Sequence, residues 1–122
     1  MEETRYGRKI RRNSPFVIVA PHGSDDLFTV EIAEALADTL GASAISNTKF
    51  VKPGNALAQA GYSDVRDFNK LPWYSDDGTY VRNIPDEGLR DFVRDLMGIT
   101  RYVAVELGET PVLAYVHGLK DR

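Results

Sequence analysis

The sequence predicts an α/β fold: a three-layer domain with a mainly parallel sheet. Two stretches predict it. Residues 16–47 read as strand, helix, strand with short links, and such a unit closes through a right-handed crossover with its strands parallel. Residues 86–116 read as a long helix followed by a further short apolar strand. The chain has 122 residues, 43% hydrophobic and 27% charged. That is ordinary globular composition, enough for one core and set against disorder. The expected organisation is a single α/β domain over 1–122, or the N-terminal part of a longer one.

Residues 1–13 are polar and made basic by Arg5, Arg8, Lys9, Arg11 and Arg12. The favoured reading is a solvated edge strand or tail, since sheet edges are commonly guarded by charge; a phosphate-touching arm is the alternative. Tyr6 and Ile10 would anchor such a strand. Residues 16–20, FVIVA, read as a buried strand, ended by Pro21, which has no N–H for the next ladder bond. Residues 27–40 form the clearest helix. Ile32, Leu36 and Leu40 recur at i, i+4 and i+8 with alanines between them, Asp25 or Asp26 is the expected N-cap, and Gly41 supplies the stop. The start of this helix carries partial positive charge and favours anionic groups ahead of it.

Residues 42–47 read as the next strand. Beyond it, Pro53-Gly54-Asn55 is a turn and 56–60 one helical turn ended by Gly61. Pro72, Ser75 and Gly78 with Asp76 and Asp77 mark a loop, and long loops in compact domains usually bind something. Trp73, Tyr74 and Tyr80 either wall a pocket there or pack over the sheet edge. Residues 86–107 form the second helix, with an apolar stripe of Leu89, Phe92, Val93, Leu96, Met97, Val103 and Leu107. Pro85 and Asp86 start it and Gly108 ends it. Gly98 inside it marks a kink or a close contact. Residues 111–116, PVLAYV, are the next buried strand.

Chemistry gathers at the strand ends. Open α/β sheets place ligand sites at the carboxyl ends of their strands. His22 and Asp25, two residues apart between them, sit in the loop after the first such strand. An imidazole nitrogen and a carboxylate oxygen at that spacing can converge on one cation, and zinc takes both ligand types. The plainer reading is that His22 caps a turn and the aspartates cap the helix. The second histidine, His117, also precedes a glycine at the end of a strand. Parallel strands bring their carboxyl ends to one edge, so His22 and His117 are expected to meet there. With Asp25 they make a two-histidine, one-carboxylate set with an open fourth position, the pattern of hydrolytic zinc. Two unrelated turn histidines are the competing reading.

The net charge of −3 sets the chain against a whole-surface nucleic-acid footprint. The absence of cysteine leaves no disulfide framework and no thiolate site, which is compatible with a cytoplasm. No apolar run reaches transmembrane length and no signal-peptide pattern opens the chain.

The run VAPHG, the acidic residues after it, TVEIAEALADTLGASAISN, then DFNK and a strand ending in HG resemble the N-formylglutamate amidohydrolases and related poly-γ-glutamate hydrolases. The resemblance spans about 14–117. It implies the zinc-dependent exopeptidase-like fold, and a zinc-dependent amidohydrolase that cleaves an N-acyl amino acid or γ-glutamyl amide beside a carboxylate. His22 matches the first zinc histidine, Asp25 the acidic ligand with Asp26 as its competitor by register, and His117 the histidine that closes the triad. Asp67, Asn69 and Lys70 match an Asp-x-Asn-Arg motif beside the substrate carboxylate. Lysine keeps the charge there but loses the bidentate fork, and Arg66 is a nearby substitute. Members of that family continue well past the last histidine into further strands and a glutamate general base. The chain is therefore expected to be a fragment or a short relative with altered or absent activity. A non-catalytic ligand- or partner-binding module is the alternative function.

Overall fold

The computed structural model describes residues 1–23, 28–50 and 87–118. Its elements in chain order are β1 (Glu2–Glu3), β2 (Gly7–Ile10), β3 (Phe16–Ala20), α1 (Thr29–Leu40), β4 (Ser43–Asn47), α2 (Glu87–Arg101), a π-helical turn (Tyr102–Glu106) and β5 (Val112–Tyr115). The strands form one sheet in the order β1-β2-β4-β3-β5. The α/β class expected from the sequence is therefore seen. Among the described residues the sheet is evenly mixed rather than mainly parallel: β3 pairs parallel with β4 and β5, whereas β2 pairs antiparallel with both β1 and β4. No helix among the described residues is long and apolar enough to cross a membrane.

The antiparallel half comes from the basic N-terminal segment. The segment does supply an edge strand, but it is the short acidic β1; β2, which carries Arg8 and Lys9, lies inside. The cations of the segment alternate in partner, as strand side chains alternate in face. Arg8 and Arg12 reach Glu34 and Asp38 of α1, while Lys9 and Arg5 reach Asp95 and Asp91 of α2. The basic character of the segment is thus spent within the fold, on helices that lie over opposite faces of the sheet. Tyr6 is the expected anchor: fully buried, its hydroxyl donates to Asp95 Oδ2 at 2.7 Å and its ring meets Phe92 edge-on, 5.1 Å between centroids. Burial, and then Asp95, push its phenol above the ordinary tyrosine value. Ile10 packs on the α1 side.

Helix α1 forms where expected but is rotated relative to the expected stripe. Val30, Ala33 and Ala37 are buried, whereas Ile32, Leu36 and Leu40 are exposed. The sheet surface beneath explains the choice. Ile18, Ala20, Ala42 and Ala44 form a floor of mostly small residues, and alanines on the helix let its axis approach closely. The bulkier set is left on the flank. The N-cap also differs: it is Phe28, in left-handed conformation and with no side-chain cap bond, rather than an aspartate. The stop at Gly41 is as expected, with φ 65°.

Helix α2 covers the other face. Phe92, Leu96, Ile99 and Val103 join Tyr6, Val17, Val19 and Ile45 in the second core cluster. Burying side chains of this size contributes about 1.5–3 kcal/mol each. Met97, expected in the stripe, is exposed, and Ile99 takes a place in it instead. Gly98 makes no close contact: a Cβ there would meet nothing within 4 Å. α-Helical bonding ends at Arg101, earlier than expected, and the π turn carries the chain on, with Leu107 N–H donating to the Tyr102 carbonyl at 3.1 Å.

Candidate functional site

The carboxyl ends of β3 and β5 form the site. Pro21 closes β3, and the next residue, His22, is buried in the turn that follows. Two features hold that turn. Asn47, fully buried at the end of β4, donates from Nδ2 to the carbonyls of Pro21 and Phe50, both at 2.8 Å. Its Oδ1 accepts from the N–H groups of Lys49 and Phe50 at 3.1 and 2.9 Å. All of the amide's polar capacity is spent tying the exit of β4 to the exit of β3. Gly23 is the second feature. A Cβ at that position would collide with Val30 Cγ2 and with the carbonyl of Asn47, so only glycine lets the turn lie against α1 and β4.

β5 delivers the other histidine. Its register on β3 runs from Phe16↔Val112 to Val19↔Tyr115, and the Val116 N–H donates to the Val19 carbonyl at 2.8 Å. The ladder therefore continues one step beyond the strand and sets His117 beside the exit of β3. The His22 and His117 ring centroids lie 5.5 Å apart, with planes inclined at 57°. The Tyr115 ring stacks parallel to His117 at 6.2 Å. Burial pushes the Tyr115 phenol above its ordinary value, so it stays protonated beside the histidines at neutral pH.

The spacing of the histidines suits one shared ion. Two imidazoles that bind a tetrahedral zinc through nitrogens at about 2.0–2.1 Å hold their ring centroids roughly 5 Å apart. His22 and His117 could hold such a ion as two of its ligands. Among the described residues no group of three metal-binding side chains occurs. Asp25 and Asp26 lie outside the described residues, as do Arg66, Asp67, Asn69 and Lys70, so of the expected site residues only the two histidines are placed. Glu109 and Glu106 precede β5, whose first residue pairs with the first residue of β3, and therefore lie toward the opposite edge of the sheet.

A separate concavity of about 430 Å³ opens between β2 and α2, lined by Glu2, Lys9, Arg11, Arg94, Asp95 and the helix backbone at Gly98. Its charges are paired across it, Lys9 with Asp95 at 3.2 Å and with Glu2 at 3.6 Å. It is a seam between strand and helix rather than an extension of the histidine site. Asn47 and Gly23 are the positioning residues that the sequence did not single out. The only local signal was an asparagine closing a strand and a glycine after the histidine. Compared with family models, curated proteins and solved structures, the chain matches none of them.

Proposed function

We propose that the chain carries the site of a zinc-dependent amidohydrolase, built on a three-layer, zinc-dependent exopeptidase-like fold. Its substrate would be an N-acyl amino acid or γ-glutamyl amide with a carboxylate beside the scissile bond. The observation that carries this reading is the approach of His22 and His117 at one sheet edge, 5.5 Å between ring centroids. They would hold the ion together with Asp25, or Asp26 in its place. When bound, zinc supplies Lewis-acid polarisation of the amide carbonyl and activation of water. The protein's own part is to fix both imidazoles: His22 through the Asn47–Pro21 hydrogen bond and the close fit at Gly23, His117 through the continued β3–β5 ladder. Lys70 or Arg66, beside Asp67 and Asn69, would take the substrate carboxylate.

The second reading is a binding module with the same histidine pair and no turnover. It is favoured by the placement of Glu106 and Glu109 before β5, on the far side from the histidines, where neither serves as general base. A positioned base typically contributes 10²–10⁴-fold. Two measurements separate the readings. Untagged protein should carry about one equivalent of zinc, lost in the His22→Ala, His117→Ala double variant. Undiminished metal in that variant sinks the site. Release of formate or amine from N-acyl glutamates and short γ-glutamyl peptides then decides between enzyme and binder.

A further inference from the structure

Helix α1 is polar on one flank only. Its charged residues, Glu31, Glu34 and Asp38, fall at i, i+3 and i+7, and two of them face β2, where Arg8 and Arg12 pair with them. The opposite flank carries Phe28, Ile32, Leu36 and Leu40, which are 68%, 49%, 42% and 54% exposed. Since one flank faces β2 and the sheet runs β2-β4-β3-β5, this ridge overlooks β5. There, among the described residues, no element packs over the sheet. Phe16 and Val112, paired neighbours on the face beneath α1, are both exposed, as is Ala114. The result is an apolar step, walled by α1 and floored by β3 and β5. A helix so apolar around its circumference is ordinarily covered.

We infer that a second copy of this chain covers it, with α1 of each copy lying in the step of the other about a twofold axis. Three features select that occupant. The ridge at i, i+4, i+8 and i+12 is self-complementary: two such ridges interdigitate at the commonest helix crossing, near −50°. A twofold that inverts the sheet normal sets each α1 over the other copy's Phe16, Val112 and Ala114, so wall and floor are filled by the same contact. The exposed parts of Phe28, Ile32, Leu36, Leu40, Phe16 and Val112 come to at most roughly 550–650 Å² per copy, so the pair together reaches the low end of the ~1,200–2,000 Å² total of a standard interface.

The test is oligomeric state, read by sedimentation velocity on the full chain across about 1–100 μM. The protein should sediment at twice its 13.6 kDa. Leu36→Glu should return it to monomer with unchanged helical circular dichroism, and Glu31→Gln on the polar flank should leave the dimer intact. The chain has no cysteine, so Leu36→Cys in the otherwise unchanged protein adds an independent readout: mild oxidation should give a covalent dimer, and Glu31→Cys should not. A wild-type monomer at 100 μM overturns the inference. So does a dimer that Leu36→Glu leaves intact. Should Leu36→Glu unfold the chain, the cysteine pair decides, and equal cross-linking at 31 and 36, or none at 36, overturns it.

Discussion

Removing the Asn47 side chain should cost the protein substantial stability. The amide makes four hydrogen bonds, two donated to the carbonyls of Pro21 and Phe50 and two accepted from the N–H groups of Lys49 and Phe50. A net contribution of about 0.5–1.5 kcal/mol per bond, moderated by water reaching the partly buried partners, puts Asn47→Ala at about 3 kcal/mol. That is a large fraction of the 5–15 kcal/mol by which domains are typically stable. Asn47→Asp sharpens the test. It keeps the two accepted bonds but turns a carboxylate oxygen toward two carbonyls, so at neutral pH it should be no more stable than the alanine variant, and protonation in acid should restore part of the loss. Urea denaturation measures both. In hydrogen exchange the Lys49 and Phe50 amides should lose protection. A cost below about 0.5 kcal/mol for Asn47→Ala, or an aspartate variant as stable as the parent at pH 7, would refute the claim that this amide bridges the two strand exits.

Gly98→Ala should stabilise the protein by about 1 kcal/mol, seen as a higher urea midpoint, because the glycine sits inside α2 with open space where a methyl group would go. Stability should also fall as the solution is made alkaline. Burial and Asp95 raise the Tyr6 phenol above its ordinary value, so its contribution is complete below about pH 10 and is lost as pH rises beyond it. Tyr6→Phe should be less stable at neutral pH, through loss of the bond to Asp95, yet show a shallower alkaline decline by thermal unfolding between pH 9 and 11.

Much of the fold could be read from short-range pattern, and the exceptions share a cause. The β3–α1–β4 unit follows from apolar runs, Pro21 and Gly41, all local signals. Which face of α1 turns inward does not. Val30, Ala33 and Ala37 form one helical stripe and Ile32, Leu36 and Leu40 another, and hydrophobicity alone selects the bulkier. The sheet selected the smaller one, since Ala20, Ala42 and Ala44 leave room for a close helix and not for leucines. That information lies in other strands. A strand was legible in the basic segment, but the interior place of β2 was hidden for a similar reason. A run of arginines and lysine reads as a solvated edge until Glu34, Asp38, Asp91 and Asp95 are seen to stand above and below it.

The histidine pair was within reach of the sequence because it depends on direction rather than on packing. Two parallel strands that each end in His-Gly deliver their histidines to one edge whatever lies on their faces, and the register Val19↔Tyr115 brings them to nearly the same height. What the sequence could not supply is rigidity. The Asn47 bond to Pro21 joins positions 26 residues apart, and the close fit of Gly23 depends on the Asn47 carbonyl as well as on nearby Val30. Neither contact leaves a periodic trace. They matter for the proposed zinc reading, because imidazoles already held in place bind an ion at lower ordering cost. The strand ends therefore explain why the histidines meet, and Asn47 with Gly23 explains why His22 stays where the meeting occurs.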